Sequence, residues 1–195
     1  MTATIKRAPQ VKSPLRRIYH AARNLPDKVL HARRHANARQ QVLRLDAIQS
    51  ILVVCYGNIC RSPYLEAVLR RDLPEITTTS AGFAAPGRPA APHAMSLARA
   101  RGLDLGDFKS RPIGRAGVSA MDLVIVMDAE QARQVMRMFR IAPSRIIVAG
   151  DLDPVPGESR GIRDPWGESL EVFTDSYNRL DRCAATLTRL VRFRR

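Results

Sequence analysis

Residues 51–71 read ILVVCYGNICRSPYLEAVLRR. Ile51–Cys55 is a short apolar run rich in β-branched residues, and it predicts a buried strand. From Ser62 to Arg71 the pattern is helical, with Pro63 in the first turn, where a missing N–H costs nothing. Between the two lies a turn holding two thiols, a glycine, an asparagine and a guanidinium. A buried strand that passes through so tight a turn into a helix is the opening of a βαβ unit, which commits the chain to a parallel sheet with helices packed on it.

The remainder alternates in the same way. Strands are predicted over Ile76–Ser80, closed by Ala81-Gly82, and over Asp122–Met127 and Arg145–Ala149. Helices are predicted over His93–Arg101, Arg111–Ala120 and Ala129–Phe139. A final helix carries Leu170, Phe173, Tyr177, Leu180, Ala184, Leu187 and Val191 at alternating spacings of three and four. The fold class expected is α/β, an α/β sandwich. In such sheets ligands bind beyond the carboxyl ends of the strands, and Cys55 lies at one.

Charge separates residues 1–49 from the rest. The chain of 195 residues carries a formal net charge of +14, and its first 50 residues hold eleven Lys and Arg against only Asp27 and Asp46. Ser13-Pro14 opens a helical pattern with Leu15, Ile18, Tyr19, Ala22 and Leu25 on one face, and a second helical stretch follows over about 27–48. Too few large apolar residues are present there to bury a core alone. Residues 1–49 are therefore expected to be a basic helical N-terminal extension, and residues 50–195 the domain. No run of about 18 apolar residues suggests a membrane span, and no signal-peptide pattern is seen.

Cys55 to Arg61 has the form C-x5-R, and that spacing suits cleavage of a phosphate ester by a thiol. Backbone N–H groups curled at a helix N-terminus supply positive potential for both a thiolate and a phosphate dianion. Arg61 can grip two phosphate oxygens with its planar fork. Gly57 permits close backbone approach or a positive φ. Asn58 tolerates a left-handed conformation and can hydrogen-bond within the loop. Ser62 can donate to the sulfur, which helps most when that sulfur must leave. Cys60 lies five residues after Cys55, within reach of a disulfide in a curled loop, and is a candidate redox partner. Cys183 falls on the apolar face of the final helix, as a core residue. His20, His31, His35 and His93 show no ligand spacing with a cysteine, so no metal and no cofactor is predicted.

The segment CYGNICRSP, Cys55 to Pro63, resembles the low-molecular-weight protein tyrosine phosphatase family, whose loop pattern C-x-G-N-x-C-R-S-P it meets throughout. SAG at Ser80–Gly82, DLVIVMD at Asp122–Asp128 and DPW at Asp164–Trp166 follow in the family's order. The resemblance covers about Ile51 to the C-terminus, and implies a three-layer sandwich around a four-stranded parallel sheet. It implies that Cys55 is the nucleophile of a phosphocysteine intermediate and that Arg61 stabilises the transferring phosphoryl group. Tyr56, Gly57, Asn58, Ile59, Cys60 and Ser62 would complete the phosphate-binding loop.

An ester oxygen leaves poorly unless protonated, so a general acid is needed opposite the sulfur. Two Asp-Pro pairs compete, Asp153-Pro154 and Asp164-Pro165. Asp164 is preferred because Trp166 follows and the last helix starts within a few residues, as in the family. Trp166 and Tyr56 are expected to wall a slot for a phenyl ring. Phe83 is the sole aromatic in GFAAPGRPA, where family members often carry another wall residue.

The expected substrate is a tyrosine-phosphorylated protein. Alternatives on the same fold are a phosphatase of phosphoarginine or of a small phosphate ester, and an arsenate reductase. By resemblance, phosphoarginine enzymes carry threonine where this chain has Ile59. An arsenate reductase relays a disulfide through further cysteines, and residues 72–182 contain none. The basic arm makes an anionic membrane surface or another polyanion a candidate partner through residues 1–49, and it also resembles a transit peptide. No aromatic interleaving supports specific nucleic-acid recognition. The odd cysteine count without framework spacing points to a cytoplasmic location, with peripheral attachment to a membrane surface as an extension of it.

Overall fold

The structure, a computed structural model, describes residues 30–193. The helix expected after Ser13-Pro14 and most of the basic arm lie outside those residues. The first described helix, α1, covers residues 30–44. Then come β1 (Ser50–Cys55), α2 (Arg61–Asp72), β2 (Thr77–Gly82), α3 (Pro92–Ala100), α4 (Arg115–Ser119), β3 (Leu123–Val126), α5 (Ala129–Phe139), β4 (Ile146–Val148) and α6 (Leu170–Phe193).

The four strands form one parallel sheet in the order β2-β1-β3-β4. The chain moves from β1 to β2 on one side and later returns to β3 on the other. The carboxyl end of β1 is thus the point where strand order reverses, the place where open α/β sheets form a crevice. The central strands are buried on both faces, which is why they read as unbroken apolar runs. Alternate residues feed two cores. Ile51, Val53 and Cys55 face the core that packs α2, α3 and α6, while Leu52 and Val54 face the one beneath α4 and α5. This is the three-layer sandwich.

Three elements depart from expectation. β2 runs on through Ala81 and Gly82 rather than stopping at Ser80. Helix α4 begins only at Arg115. Its expected first turn is instead an extended bridge, with the Gly82 amide donating to Arg111 and the Ile113 amide to Gly82. Pro112 explains this, because it disfavours helical geometry at the residue before it. Leu170 is exposed at the head of α6, whereas the rest of its predicted apolar stripe is buried.

Helix α1 is packed on the domain. Ala38 and Val42 are buried in the first core. The Gln41 amide Nε2 donates to the carbonyls of Pro143, Ser144 and Ile146 at 3.1, 2.9 and 2.8 Å. One of these, Ile146, is on β4, the edge strand, and its carbonyl is thereby satisfied. His35 Nδ1 lies 3.0 Å from the carbonyl oxygen of Asp151.

Candidate active site

The loop Tyr56–Cys60 curls between β1 and α2, and its tightness has two sources. Asn58 takes φ of 50°, a left-handed conformation that asparagine tolerates better than most residues. Gly82, at the end of β2, permits the closest approach. A Cβ there would sit 2.7 Å from the Tyr56 carbonyl oxygen and 2.8 Å from the Asn58 nitrogen. The sequence reading gave that task to Gly57. Gly57 has no positive φ, and a side chain on it would meet chiefly the mobile end of Arg88 and the Ile59 side chain.

Within the curl, Cys55 Sγ accepts from the Asn58 amide at 3.2 Å and from Ser62 Oγ at 3.0 Å. The Ser62 hydroxyl is aimed by a chain of buried bonds. Asn58 Nδ2 donates both to Ser62 Oγ (2.9 Å) and to Ser80 Oγ (2.8 Å), so each hydroxyl must turn its own proton elsewhere. Ser62 turns it to the sulfur. Ser80 turns it to the carboxylate of Glu66 at 2.6 Å, which Arg111 Nη2 also holds at 2.8 and 3.0 Å. The Arg111 backbone amide fixes the other end of Asn58 by donating to Oδ1 at 2.7 Å.

Arg61 opens α2 and is buried. Its Nη1 donates to the Ile162 carbonyl at 2.9 Å and its Nη2 to Asp164 Oδ2 at 2.5 Å. Its Nε–H is buried with no partner, a donor that a bound oxyanion would satisfy. Cys55, Tyr56, Gly57, Ile59, Cys60, Arg61, Asp164 and Trp166 line one pocket of about 110 Å³, together with Ala84 and Arg88. Thiol, guanidinium and carboxyl thus converge on a space of phosphate size at the head of a helix. That arrangement suits transfer of a phosphoryl group to sulfur.

A model of the family described as low molecular weight phosphotyrosine protein phosphatase matches residues 50–194. The chain belongs to this family. Wzb of Escherichia coli K12, a low molecular weight protein-tyrosine-phosphatase, is 37% identical over 139 residues, covering 69% of this chain and 90% of Wzb. Wzb of Salmonella typhi is 37% identical over 138 residues, covering 69% and 88%. Among solved structures, the Erwinia amylovora tyrosine phosphatase AmsI superposes with a TM-score of 0.68 at 31% identity, over 73% of this chain and 92% of that one. Vibrio vulnificus Wzb in complex with benzylphosphonate gives 0.66 at 32% identity, over 73% and 99%. The YwlE arginine phosphatase of Geobacillus stearothermophilus gives 0.68 at 26% identity, over 75% and 94%. The chain is thus a hydrolase of the protein-tyrosine-phosphatase class, and α1 lies outside the part that matches the family.

In this phosphatase the two Asp-Pro carboxylates part company. Asp164 faces the pocket with its side chain 47% exposed. Asp153 is wholly buried elsewhere, between Arg179 (3.1 Å) and Arg182 (2.8 Å). Burial pushes the Asp153 carboxyl up. The Arg182 hydrogen bonds, the Val155 amide and the charges of Arg182 and Arg179 outweigh it and hold the group below the ordinary carboxylate range.

Trp166 and Tyr56 are each 62% exposed at the pocket mouth, so Trp166 is not packed under the final helix. Phe83 turns inward against the second core, and Ala84 takes its place in the wall. The slot therefore has two aromatic walls. Burial, with the neighbouring Cys55 and Asp164, pushes the Cys60 thiol up to about 12 against the opposing pull of Arg61 and Arg88. Cys60 stays protonated near neutrality. All three cysteines are free, and Cys183 is buried in the core. Among the described residues no group of three His, Cys, Asp or Glu side chains is placed to hold a metal.

Glu66, Ser80, Arg111 and Arg88 were not foreseen. Glu66 and Ser80 carried a signal: polar residues on faces that periodicity marks as buried. Arg111 and Arg88 carried none, since each reaches the loop from a segment distant in sequence.

Proposed function

We propose that this phosphatase hydrolyses phosphotyrosine on proteins through a phosphocysteine intermediate. The observation that carries the reading is the convergence of Cys55 Sγ, the Arg61 fork and the Asp164 carboxyl on one pocket.

In the first step Cys55 Sγ, as thiolate, attacks phosphorus in line with the ester oxygen. The S–P bond forms, the P–O bond breaks, and Asp164 gives its proton to the departing phenolic oxygen. Arg61 Nε and Nη2 and the loop amides hold the equatorial oxygens, so Nη2 exchanges its present bond to Asp164 for one to phosphate. That exchange frees the Asp164 carboxylate, which takes up a proton from solvent beside the bound phosphate dianion and only then acts as acid. In the second step Asp164 takes a proton from water, the water oxygen bonds to phosphorus and the S–P bond breaks. The Ser62 hydroxyl stabilises the sulfur as it leaves. No step calls on a metal or a cofactor. Cys60, still protonated, is a candidate resolving thiol should Cys55 be oxidised.

Tyr56 and Trp166 at the mouth favour an aryl group. The likeness to the YwlE arginine phosphatase supports phosphoarginine as a second reading, against which Ile59 lines the pocket as an apolar residue. The reading places the enzyme in the cytoplasm, in keeping with three free thiols. Among the described residues no helix is long and apolar enough to cross a membrane. An anionic surface remains a proposed partner for the basic arm.

Cys55→Ser is expected to abolish hydrolysis of p-nitrophenyl phosphate and of a phosphotyrosine peptide while leaving the thermal unfolding midpoint in place. Substantial turnover by that variant would refute the mechanism. A phosphoarginine peptide turned over faster by the wild type than its phosphotyrosine counterpart would favour the second reading.

A further inference from the structure

In a trans peptide the carbonyl of one residue and the N–H of the next point to opposite sides. A loop that must turn N–H groups onto a thiol and a phosphate therefore has to turn its carbonyls outward, where something must bind them. Among the described residues no peptide is cis. Around the loop, Tyr56 O accepts from the Phe83 and Ala84 amides at 2.8 and 3.1 Å, and Ile59 O from the Ala91 amide at 2.8 Å. Cys60 O accepts from the Tyr177 hydroxyl at 2.9 Å. Gly57 O accepts from Arg88 Nη2 at 2.8 Å. Residues 83–91, together with Tyr177 of α6, thus clamp the loop from outside.

The Gly57 bond differs from the others in two ways. Its donor is a cation, and its peptide is the one whose N–H, that of Asn58, reaches Cys55 Sγ at 3.2 Å. A charged donor on a carbonyl polarises the whole amide, so the N–H on the far side becomes a stronger donor. The fold holds Arg88 in place for this. Its backbone amide donates to Ser110 Oγ at 3.0 Å, its carbonyl accepts from the Ser110 amide at 2.8 Å, and its Nε donates to the Ala85 carbonyl at 3.2 Å. Gly57 leaves the room, since a Cβ there would lie 3.2 Å from Arg88 Nη2. Among the described residues no carboxylate pairs with Arg88. Its charge is felt inside the loop, where it opposes the rise of the Cys60 thiol.

We propose that Arg88 is a positioning residue for the reaction: by binding the Gly57 carbonyl it aims the Asn58 amide at Cys55 Sγ and strengthens that donor. The amide then serves the sulfur twice, as thiolate before attack and as leaving group when the S–P bond breaks. The inference rests on the reading of Cys55 as nucleophile given above, and it adds to the machinery a residue distant in sequence. Arg88 acts through the loop amide, not on the substrate.

The test compares full-length Arg88→Met, which keeps an apolar stem and loses the cationic donor, with Arg88→Lys. The bond to Gly57 takes a single N–H, so an ammonium can make it. The substrate is p-nitrophenyl phosphate, which offers no polypeptide for an arginine to hold. Arg88→Met is expected to lower kcat about tenfold or more, the worth of one charge-assisted hydrogen bond, with KM nearly unchanged. Arg88→Lys should recover most of the loss. A second readout needs no turnover. Alkylation of Cys55 by iodoacetamide in mildly acidic buffer, mapped by mass spectrometry, should be about fivefold slower in Arg88→Met and restored in Arg88→Lys, because the thiolate is the species that reacts. Should Arg88→Met fail to fold, Arg88→Gln is read in the same two ways. An unchanged kcat in Arg88→Met overturns the proposal. So does a loss that Arg88→Lys does not mend, which would make Arg88 a packing residue of the loop. A loss seen with a phosphotyrosine peptide and not with p-nitrophenyl phosphate overturns it too, as the mark of substrate contact. A wild type inactive on every aryl phosphate would instead overturn the phosphatase reading, and the alkylation rates would still decide the role of Arg88.

Discussion

Asp153-Pro154 and Asp164-Pro165 are the same dipeptide, eleven residues apart in one connection, and they have opposite environments. Asp153 is sealed between two arginines of α6, and its oxygens are spent on Arg179, Arg182 and the Val155 amide. Asp164 is half exposed and bonded to Arg61, the cation of the phosphate loop. The proline decides neither outcome. What decides is the cation each carboxylate meets. Arginines of a packed helix make an anchor, whereas an arginine with a donor still vacant makes a partner that can be given up when an anion arrives. A carboxylate that must change partners during a reaction has to remain reachable from solvent, and only Asp164 is.

The comparison breaks most readily on activity. Asp164→Asn is expected to lower kcat for an aryl phosphate with a poor leaving group by about 10²–10⁴-fold, the usual range for general acid catalysis. The loss should shrink for p-nitrophenyl phosphate, whose phenolate needs less protonation, and steady-state kinetics across a series of leaving groups reads it directly. A comparable leaving-group-dependent loss in Asp153→Asn would overturn the assignment.

The next effect is on stability and runs the other way. Asp153→Asn leaves Arg179 and Arg182 without their counter-charge, and breaking such a buried pair costs about 3 kcal/mol. For a domain of this size that lowers Tm by about 6–12 °C. Asp164→Asn should leave Tm nearly unchanged, which scanning calorimetry distinguishes. Acid sharpens the contrast. The Asp153 carboxyl sits below its ordinary range when folded, so its stabilisation is fully present above the unfolded value of about 3.9 and is lost as pH falls through the lower folded value. The Tm gap between wild type and Asp153→Asn should therefore close as pH drops below about 4. A gap independent of pH would contradict the ion-pair account.

Ser80→Ala should have a smaller effect on turnover. It removes the acceptor of Asn58 and the donor to Glu66, leaving buried groups one bond short at about 1–3 kcal/mol. With Asn58 held by one bond fewer, the Ser62 proton is less firmly directed to sulfur, and kcat should fall about tenfold while KM holds. Smallest of all, Trp166→Ala should raise KM for phosphotyrosine about fivefold, the worth of one aromatic wall. It should leave Tm unmoved, because the ring is 62% exposed. A fall in Tm would mean that Trp166 packs against the domain instead.

The sheet and the thiol loop were legible in sequence because each rests on local pattern. β1 is an apolar run buried on both faces, and Cys55–Pro63 carries its chemistry in consecutive residues. That Asp164 and not Asp153 reaches the pocket was legible only through its neighbours Trp166 and the start of α6. The support of the loop was not legible. Gly82, Arg88 and Arg111 act on Cys55–Ser62 across separations that no local period records, Glu66 left only the mark of a polar residue on a buried helix face, and Gly57 drew the expectation that belonged to Gly82. Helix α1 was foreseen as helical and basic, over about 27–48. Its docking depends on Gln41 meeting carbonyls about a hundred residues away, and this again is tertiary information.

The central claim is that Cys55 carries the phosphoryl group. Enzyme mixed with an aryl phosphate, quenched in acid within the first turnover and mapped by mass spectrometry should show a phosphoryl adduct on the peptide holding Cys55, and on no other. A burst of phenol equivalent to the enzyme should accompany it whenever breakdown of the adduct limits turnover. A phosphoryl group found on another residue, or full activity in Cys55→Ser with no adduct at all, would contradict it.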